Sequence, residues 1–300
     1  MAGVVRLSPP TTLHKTAGSS WSSAVQKFAR GIPAKLLILV LLVIDVYPVF
    51  WLVSTSLKST QEFLNTPFWA LPRSLAFQNY ADAWTLGRIG LSLQNSLVVT
   101  IPSVVFILLL GAAAGFTLEV MIWKGRNTVL LVILGGIMVP VQMILLPLFT
   151  IYFKIGLTNT LWPLIFTYIG HGLPLTTFLM AAYFRSVPRE LFESCTLDGA
   201  GILRSFFSVG LPMVRNGLLT VALLMFFSTY NDLLIALTFI TSKDKSTVQV
   251  GLLNFQGEYG SVLYGPLFAG ICMTVLGTLV VYLFLSRQIM QGLAGGALKG

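Results

Sequence analysis

The sequence predicts an all-α, polytopic membrane protein with six transmembrane helices. Its mean hydropathy is +0.84, and only 10% of its 300 residues are charged, far too few for an ordinary water-soluble globule. Its apolar runs reach about 20 residues, the length of helix that crosses a hydrocarbon core roughly 30 Å thick. The runs are continuous and do not alternate, which favours helices, whose peptide groups pair within the segment, over strands.

Taken in order, residues 1–33 mix Ser, Thr, Pro and Gly with scattered basic residues and lack the apolar core and cleavage site of a secretory signal. They are expected to form a cytosolic, partly disordered tail. Spans are expected at Ala34–Leu57, Ser96–Met121, Thr128–Phe153, Leu161–Tyr183, Gly217–Ile240 and Gly265–Leu285. The first helix and an external loop occupy 34–95. A core transmembrane domain occupies 96–286, interrupted by a hydrophilic connection at 184–216, and 287–300 form a second cytosolic tail. The run from Gly111 to Gly115 is a small-residue face suited to close helix packing.

The net charge of +9 comes from basic residues scattered between apolar blocks, with no basic stripe or arm for nucleic acid. With the amino terminus inside, the tails, Lys35 at the start of the first span, the Lys124/Arg126 turn and the 184–216 connection hold thirteen of the 19 Lys and Arg. The positive-inside rule then places both termini in the cytosol and the chain in the cytoplasmic (inner) membrane. Cys195 and Cys272 have neither metal-site spacing nor disulfide density and read as free thiols. No Gly-x-x-x-x-Gly-Lys-[Ser/Thr] phosphate loop is present, so no ATP hydrolysis is expected of this chain.

The connection from Arg185 to Pro212 carries the clearest pattern. Pro188 suits a first helical turn, Arg189–Leu197 is good helix material, and Gly199 can end it in a left-handed conformation. Ile202–Val209 can form a second helix, stopped by Leu211-Pro212. Leu191, Phe192 and Cys195 recur at helical spacing as a packing face, while Arg189, Glu190 and Glu193 stay polar.

This helix–turn–helix resembles the EAA loop of ABC-importer permeases, with Glu193, Asp198, Gly199, Ala200, Phe206, Leu211 and Pro212 at matching positions. Ser194 and Cys195 replace the two alanines, and Asn216 stands where sugar permeases often have proline. The chain is similar in particular to the smaller maltose-type permease subunit, over about residues 34–300. The similarity is carried by Tyr47-Pro48, Ser54–Lys58, Asn79-Tyr80, Asn95-Ser96-Leu97, Pro140-Val141-Gln142, Leu146-Pro147-Leu148, Gly156–Thr160, Tyr230-Asn231-Asp232 and Gly292–Gly300.

The resemblance implies a type I importer permease fold and a sugar, an oligosaccharide or a sugar derivative, as cargo. It implies a second permease subunit, two ATPase subunits that hold ATP and Mg, and an extracytoplasmic solute-binding protein. No cofactor is expected on this chain. Glu193, Asp198, Gly199, Ala200, Leu211 and Pro212 would couple the ATPase to alternating access. The carboxyl tail would also reach the ATPase.

Polar residues inside spans are candidates for the pathway, because an ionisable group at mid-membrane costs at least about 2.5 kcal/mol unless it faces protein or water. Tyr230, Asn231 and Asp232 could line it or make interhelical structural contacts. Gln142, between Pro140 and Pro147, could face a break in the third span or bond across a helix interface. Asp45 has no partner legible in the sequence, and His171 reads as a satisfied structural histidine in preference to a metal ligand. The rival functions are a permease for a non-sugar solute, an ion-coupled secondary transporter, and an integral-membrane enzyme. The second needs more buried charge and usually two related halves, and the third a catalytic constellation, none of which the sequence offers.

Overall fold

A peptide group in lipid finds no partner but another peptide group. The computed structural model accordingly has no β-strand among the described residues, which are 19–256 and 261–297, with side chains described for 35–256 and 261–283. In chain order the helices are α1 (Ser19–Ser56), α2 (Thr60–Asn65), α3 (Gln78–Thr85), α4 (Ile89–Glu119), α5 (Arg126–Ile137), α6 (Val141–Lys154) and α7 (Trp162–Arg185). There follow α8 (Arg189–Leu197), α9 (Ile202–Ser205), a π-helical turn at Phe206–Gly210, α10 (Leu211–Met213), α11 (Arg215–Tyr230), α12 (Leu234–Phe239), α13 (Val248–Gly251) and α14 (Tyr264–Ala297).

The tail boundaries move. Helix α1 already starts at Ser19, and α14 runs through residue 287 to Ala297. The isolated glycines near its end cost about 1 kcal/mol each, too little to stop a helix already propagated over many residues. Residues 1–18 and 298–300, parts of the two expected tails, lie outside the described residues. The chain divides into compact units at Leu52/Val53. In the first, Lys35–Phe50 is exposed throughout, Asp45 included.

Four stretches are single helices long and apolar enough to cross a membrane: Lys35–Ser56, Ile89–Glu119, Trp162–Arg185 and Tyr264–Leu283. The third and fifth expected spans are instead broken. Helices α5 and α6 meet at 91° across Met138–Pro140. Pro140 supplies no backbone donor and disfavours helical geometry at Val139, so the ladder ends there. Helix α11 stops at Tyr230, and α12 restarts only at Leu234. The Asn231 and Asp232 side chains, which offer the backbone local alternatives to the ladder, occupy the gap. Hydropathy alone reads through both interruptions.

The centre of the second unit is the pairing of α4 with α7. A β-carbon at Gly111 would lie 2.4 Å from Thr176 Cγ2, and one at Gly115 would lie 2.8 Å from the Ala181 nitrogen. From the other side, one at Gly172 would lie 2.7 Å from Ile107 Cδ1. The small-residue face therefore lets two backbones approach more closely than any larger side chain permits. Beyond it, Ile107, Phe116, Met180, Phe184, Val221 and Met225 join α4, α7 and α11 in one apolar cluster. A second cluster, including Leu145, Leu164, Tyr168, Ile235 and Phe239, joins α6, α7 and α12. A third gathers Ala83, Ile89, Phe255 and Ala269.

Asparagines hold the connections. Asn79 Nδ2 donates to the carbonyls of Ser56 and Lys58, both at 2.8 Å, while Tyr80 and Ser56 share a 2.8 Å hydroxyl contact. Asn95 Nδ2 donates to the carbonyls of Asp244 at 2.9 Å and Ser246 at 3.1 Å, and Ser96 Oγ accepts from the Val248 amide at 2.8 Å. Asn159 adopts a left-handed φ of 56° and accepts the Thr241 and Ser242 amides, at 3.3 and 3.0 Å. The 239–248 connection is thus clasped from α4 on one side and from the loop after α6 on the other.

Substituting Gly115→Leu is expected to overpack the α4–α7 seam by about 1–3 kcal/mol. Melting temperature in detergent should fall, whereas Gly277→Leu, whose β-carbon would meet nothing within 4 Å, should leave it unchanged.

Candidate coupling site and translocation face

Helix α8 follows Pro188, whose extended backbone (φ −56°, ψ 131°) precedes the first turn. Its end is closed by Gly199 at φ +73°. The Gly199 amide bonds the Thr196 carbonyl at 3.0 Å and the Ala200 amide that of Cys195 at 2.9 Å, the paired bonds of a Schellman cap. Gly199 is needed for its backbone conformation alone, since no neighbour lies within 4 Å of its would-be β-carbon.

The second helix of the loop differs from expectation. It begins at Ile202 but does not stop at Leu211-Pro212. The π-helical turn Phe206–Gly210 places the Leu211 amide on the Phe206 carbonyl, five residues back. Widening there admits the proline, which lacks a donor and would crowd the carbonyl four residues earlier. The helix passes through Pro212 to Met213, and the chain turns at Val214 by 78° into α11.

Phe116, near the end of α4, anchors the loop. Its ring meets Phe184 of α7, Phe192 of α8 and Phe206 in edge-on contacts with centroids 5.4, 5.6 and 5.3 Å apart. Such aromatic pairs add about 0.5–1.5 kcal/mol each beyond their buried area. Beside them Arg185 holds Glu119 through two hydrogen bonds, of 3.2 and 2.9 Å, linking the ends of α7 and α4. Of the expected packing face only Phe192 is buried. Leu191 is exposed and Cys195 half-buried, because the aromatic cluster contacts one edge of this short helix.

The remaining loop surface points outward. Glu193 and Asp198 are exposed, as are Leu197 (88%), Leu203 (72%) and Phe207 (57%). Glu193 and Ala200 border a 410 Å³ cleft with Phe116, Arg189 and Ile202. Asp198, Gly199 and Ala200 thus share the turn after α8, and Glu193 stands on the helix before it. Leu211 and Pro212 sit farther on, beside the bend that starts α11.

The expected pathway residues separate. Tyr230 is 4% exposed, with its ring stacked on Phe226, so it does not line an open face. Asp232 Oδ2 accepts from the Tyr168 hydroxyl at 2.8 Å and from the Ile235 and Ala236 amides at 3.0 and 3.2 Å, capping α12. Its contacts are those of a structural group. Asn231 is exposed, and its Oδ1 accepts from Gln249 Nε2 at 3.3 Å. Gln142 is exposed at the start of α6 and makes no side-chain hydrogen bond among the described residues. His171, expected to be satisfied, is exposed and has no hydrogen-bond partner among the described residues either. Gln249 and Phe116 were missed by sequence reasoning. The first lies in a connection without a motif, and the second is one of 21 phenylalanines.

A bundle of apolar helices with broken spans and a rigidly anchored helix–turn–helix defines a membrane-embedded transport subunit. Residues 95–288 match the family described as binding-protein-dependent transport system inner membrane component. The chain belongs to that family, whose members are multi-pass transport subunits and not enzymes. It is 36% identical over 258 residues to the diacetylchitobiose uptake system permease protein NgcG of Streptomyces coelicolor, covering 86% of this chain and 85% of that one. It is 32% identical over 255 residues to the trehalose transport system permease protein SugB of Mycobacterium tuberculosis, covering 84% and 92%. The fold matches a chain in the crystal structure of a bacterial ABC transporter that imports alginate, with a TM-score of 0.76 at 20% identity over 87% of this chain and 97% of that one.

Three substitutions at two positions test the loop. Gly199→Ala is expected to strain the cap by about 1–2 kcal/mol and slow transport, and Gly199→Pro to abolish it with membrane insertion retained, read by uptake and membrane immunoblot. Phe116→Ala removes the ring shared by three contacts, at a cost of about 3–5 kcal/mol. In that variant cargo uptake should fall with membrane insertion retained, read by the same uptake assay and immunoblot.

Proposed function

We propose that this chain is one of two membrane-spanning subunits of an ATP-driven sugar importer. The anchored loop with its outward apolar face carries this reading. Phe116 and the Glu119–Arg185 pair fix the loop to the ends of α4 and α7, so a force applied to α8 reaches those helices directly. Leu197, Leu203 and Phe207, exposed to water in the isolated chain, are the surface that an ATPase subunit covers. Glu193 and Asp198 supply the charge at its edge.

On this reading both termini and the loop face the cytosol, as the distribution of basic residues supports. ATP and Mg bind in the two ATPase subunits, and a binding protein delivers cargo to the opposite face. ATP and loaded binding protein both favour the outward-facing state, since a ligand shifts an equilibrium only by its differential affinity for the two states. A sugar as cargo is supported by the diacetylchitobiose and trehalose permeases among the relatives. Asn231, Gln249 and Gln142 offer amides of the kind that bind hydroxyl groups.

The test is co-purification of tagged protein from its native membrane in mild detergent, with co-purifying chains identified by mass spectrometry. Wild type is expected to bring down a second permease and an ATPase, and Leu203→Asp with Leu197→Asp to lose the ATPase and keep the permease. Retention of the ATPase by the double variant, or a lone chain active in uptake, would refute the coupling role.

A further inference from the structure

His171 is the tenth residue of the 24-residue α7. At 1.5 Å per residue it lies roughly 14 Å along the helix, close to the middle of a bilayer core about 30 Å thick. Its imidazole borders a 160 Å³ cavity with Ile137, Gly172, Leu175, Met225 and Ser228. That cavity brings together the middle of α7, the last residue of α5 before the 91° break, and α11.

Other polar features meet at this level. On α11, Thr220 bonds back to the Asn216 carbonyl four residues earlier. Ser228 makes no such bond and is exposed. Pro174 has no N–H to give the carbonyl of exposed Gly170 four residues before it. An imidazole and a hydroxyl, neither with a hydrogen-bond partner among the described residues, therefore meet at one cavity where the bilayer is driest, the imidazole one residue after a Gly170 carbonyl that lacks its usual helical donor. Unpaired polar groups facing lipid there are costly, so such groups face water, a ligand or another protein chain. The exposed side of α11 continues from Ser228 to Asn231 and its partner Gln249.

We propose that His171 and Ser228 form a mid-membrane subsite that hydrogen-bonds the hydroxyl groups of a sugar in transit, with His171 a specificity-determining residue. The inference rests on the sugar-import reading and deepens it. A neutral imidazole carries one donor and one acceptor, and the serine hydroxyl offers both, so adjacent sugar hydroxyls that each donate and accept are matched. Ile137, Leu175 and Met225 supply an apolar wall against which the C–H face of the ring lies. Two hydrogen bonds, each a modest net gain over water, hold a passing ligand loosely enough to release it.

The test uses the complete assembly in proteoliposomes with its binding protein, radiolabelled diacetylchitobiose and trehalose as probes, and ATP hydrolysis measured in parallel. His171→Leu is expected to lower sugar transported per ATP about tenfold, with ATP hydrolysis and the KM set by the binding protein unchanged. Ser228→Ala should lower it less, and His171→Gln should restore most of it. Undiminished transport per ATP in both His171→Leu and Ser228→Ala overturns the subsite. So does an equal loss of ATP hydrolysis and uptake in His171→Leu and His171→Gln, which assigns His171 to packing against the second permease. A wild-type assembly that hydrolyses ATP but takes up neither of these nor any other member of a panel of radiolabelled mono- and oligosaccharides counts instead against the import reading on which the subsite stands.

Discussion

The close approach of α4 and α7 is the constraint on which the rest of the second unit depends. Gly111 and Gly115 meet Thr176 and the Met180–Ala181 backbone with no room for a methyl group, and Gly172 meets Ile107 from the other side. Without a hydrophobic drive between helices in lipid, such contact is what holds two spans together. Phe116 follows Gly115 directly, so the seam also fixes where the aromatic anchor of the loop sits. The pair is stiff for the same reason that it is tight: side chains that interlock at van der Waals distance leave neither helix room to slide.

Movement is then confined to places where the helical ladder is already interrupted. Among the described residues, breaks or bends within apolar stretches fall at Met138–Pro140, Val214 and Asn231–Leu233. Two of them flank α11, and the third separates α5 from α6. The π turn before Val214 stores no evident strain and sits where a proline must be admitted. Alternating access in this architecture is most simply a change of angle at these joints around a fixed pair.

Much of the fold was legible because apolar runs of sufficient length have few alternatives to a helix. The cap at Gly199 was legible too, since glycine after good helix material has a specific backbone use. The two breaks were not, because hydropathy averages over a window and is blind to two or three residues that leave the ladder. Asn231 and Asp232 were conspicuous as polar residues, but whether each caps a helix or faces an opening depends on Tyr168 and on the Ile235 and Ala236 amides. His171 was misjudged for the same reason: satisfaction is a property of neighbours, and the neighbours belong to α5 and α11. The motif asparagines 79, 95 and 159 marked positions correctly while giving no hint that their common task is to clasp backbone.

The outward leucines of the loop have a consequence for the life of the chain in the cell. Contiguous apolar surface in water is also what quality-control machinery recognises in damaged proteins. In the assembly proposed above, a copy lacking its ATPase displays Leu197, Leu203 and Phe207 and so carries the same mark as a misfolded one. In the complete transporter proposed above the same surface is covered, so the exposure of these three side chains is what distinguishes an unassembled copy from an assembled one.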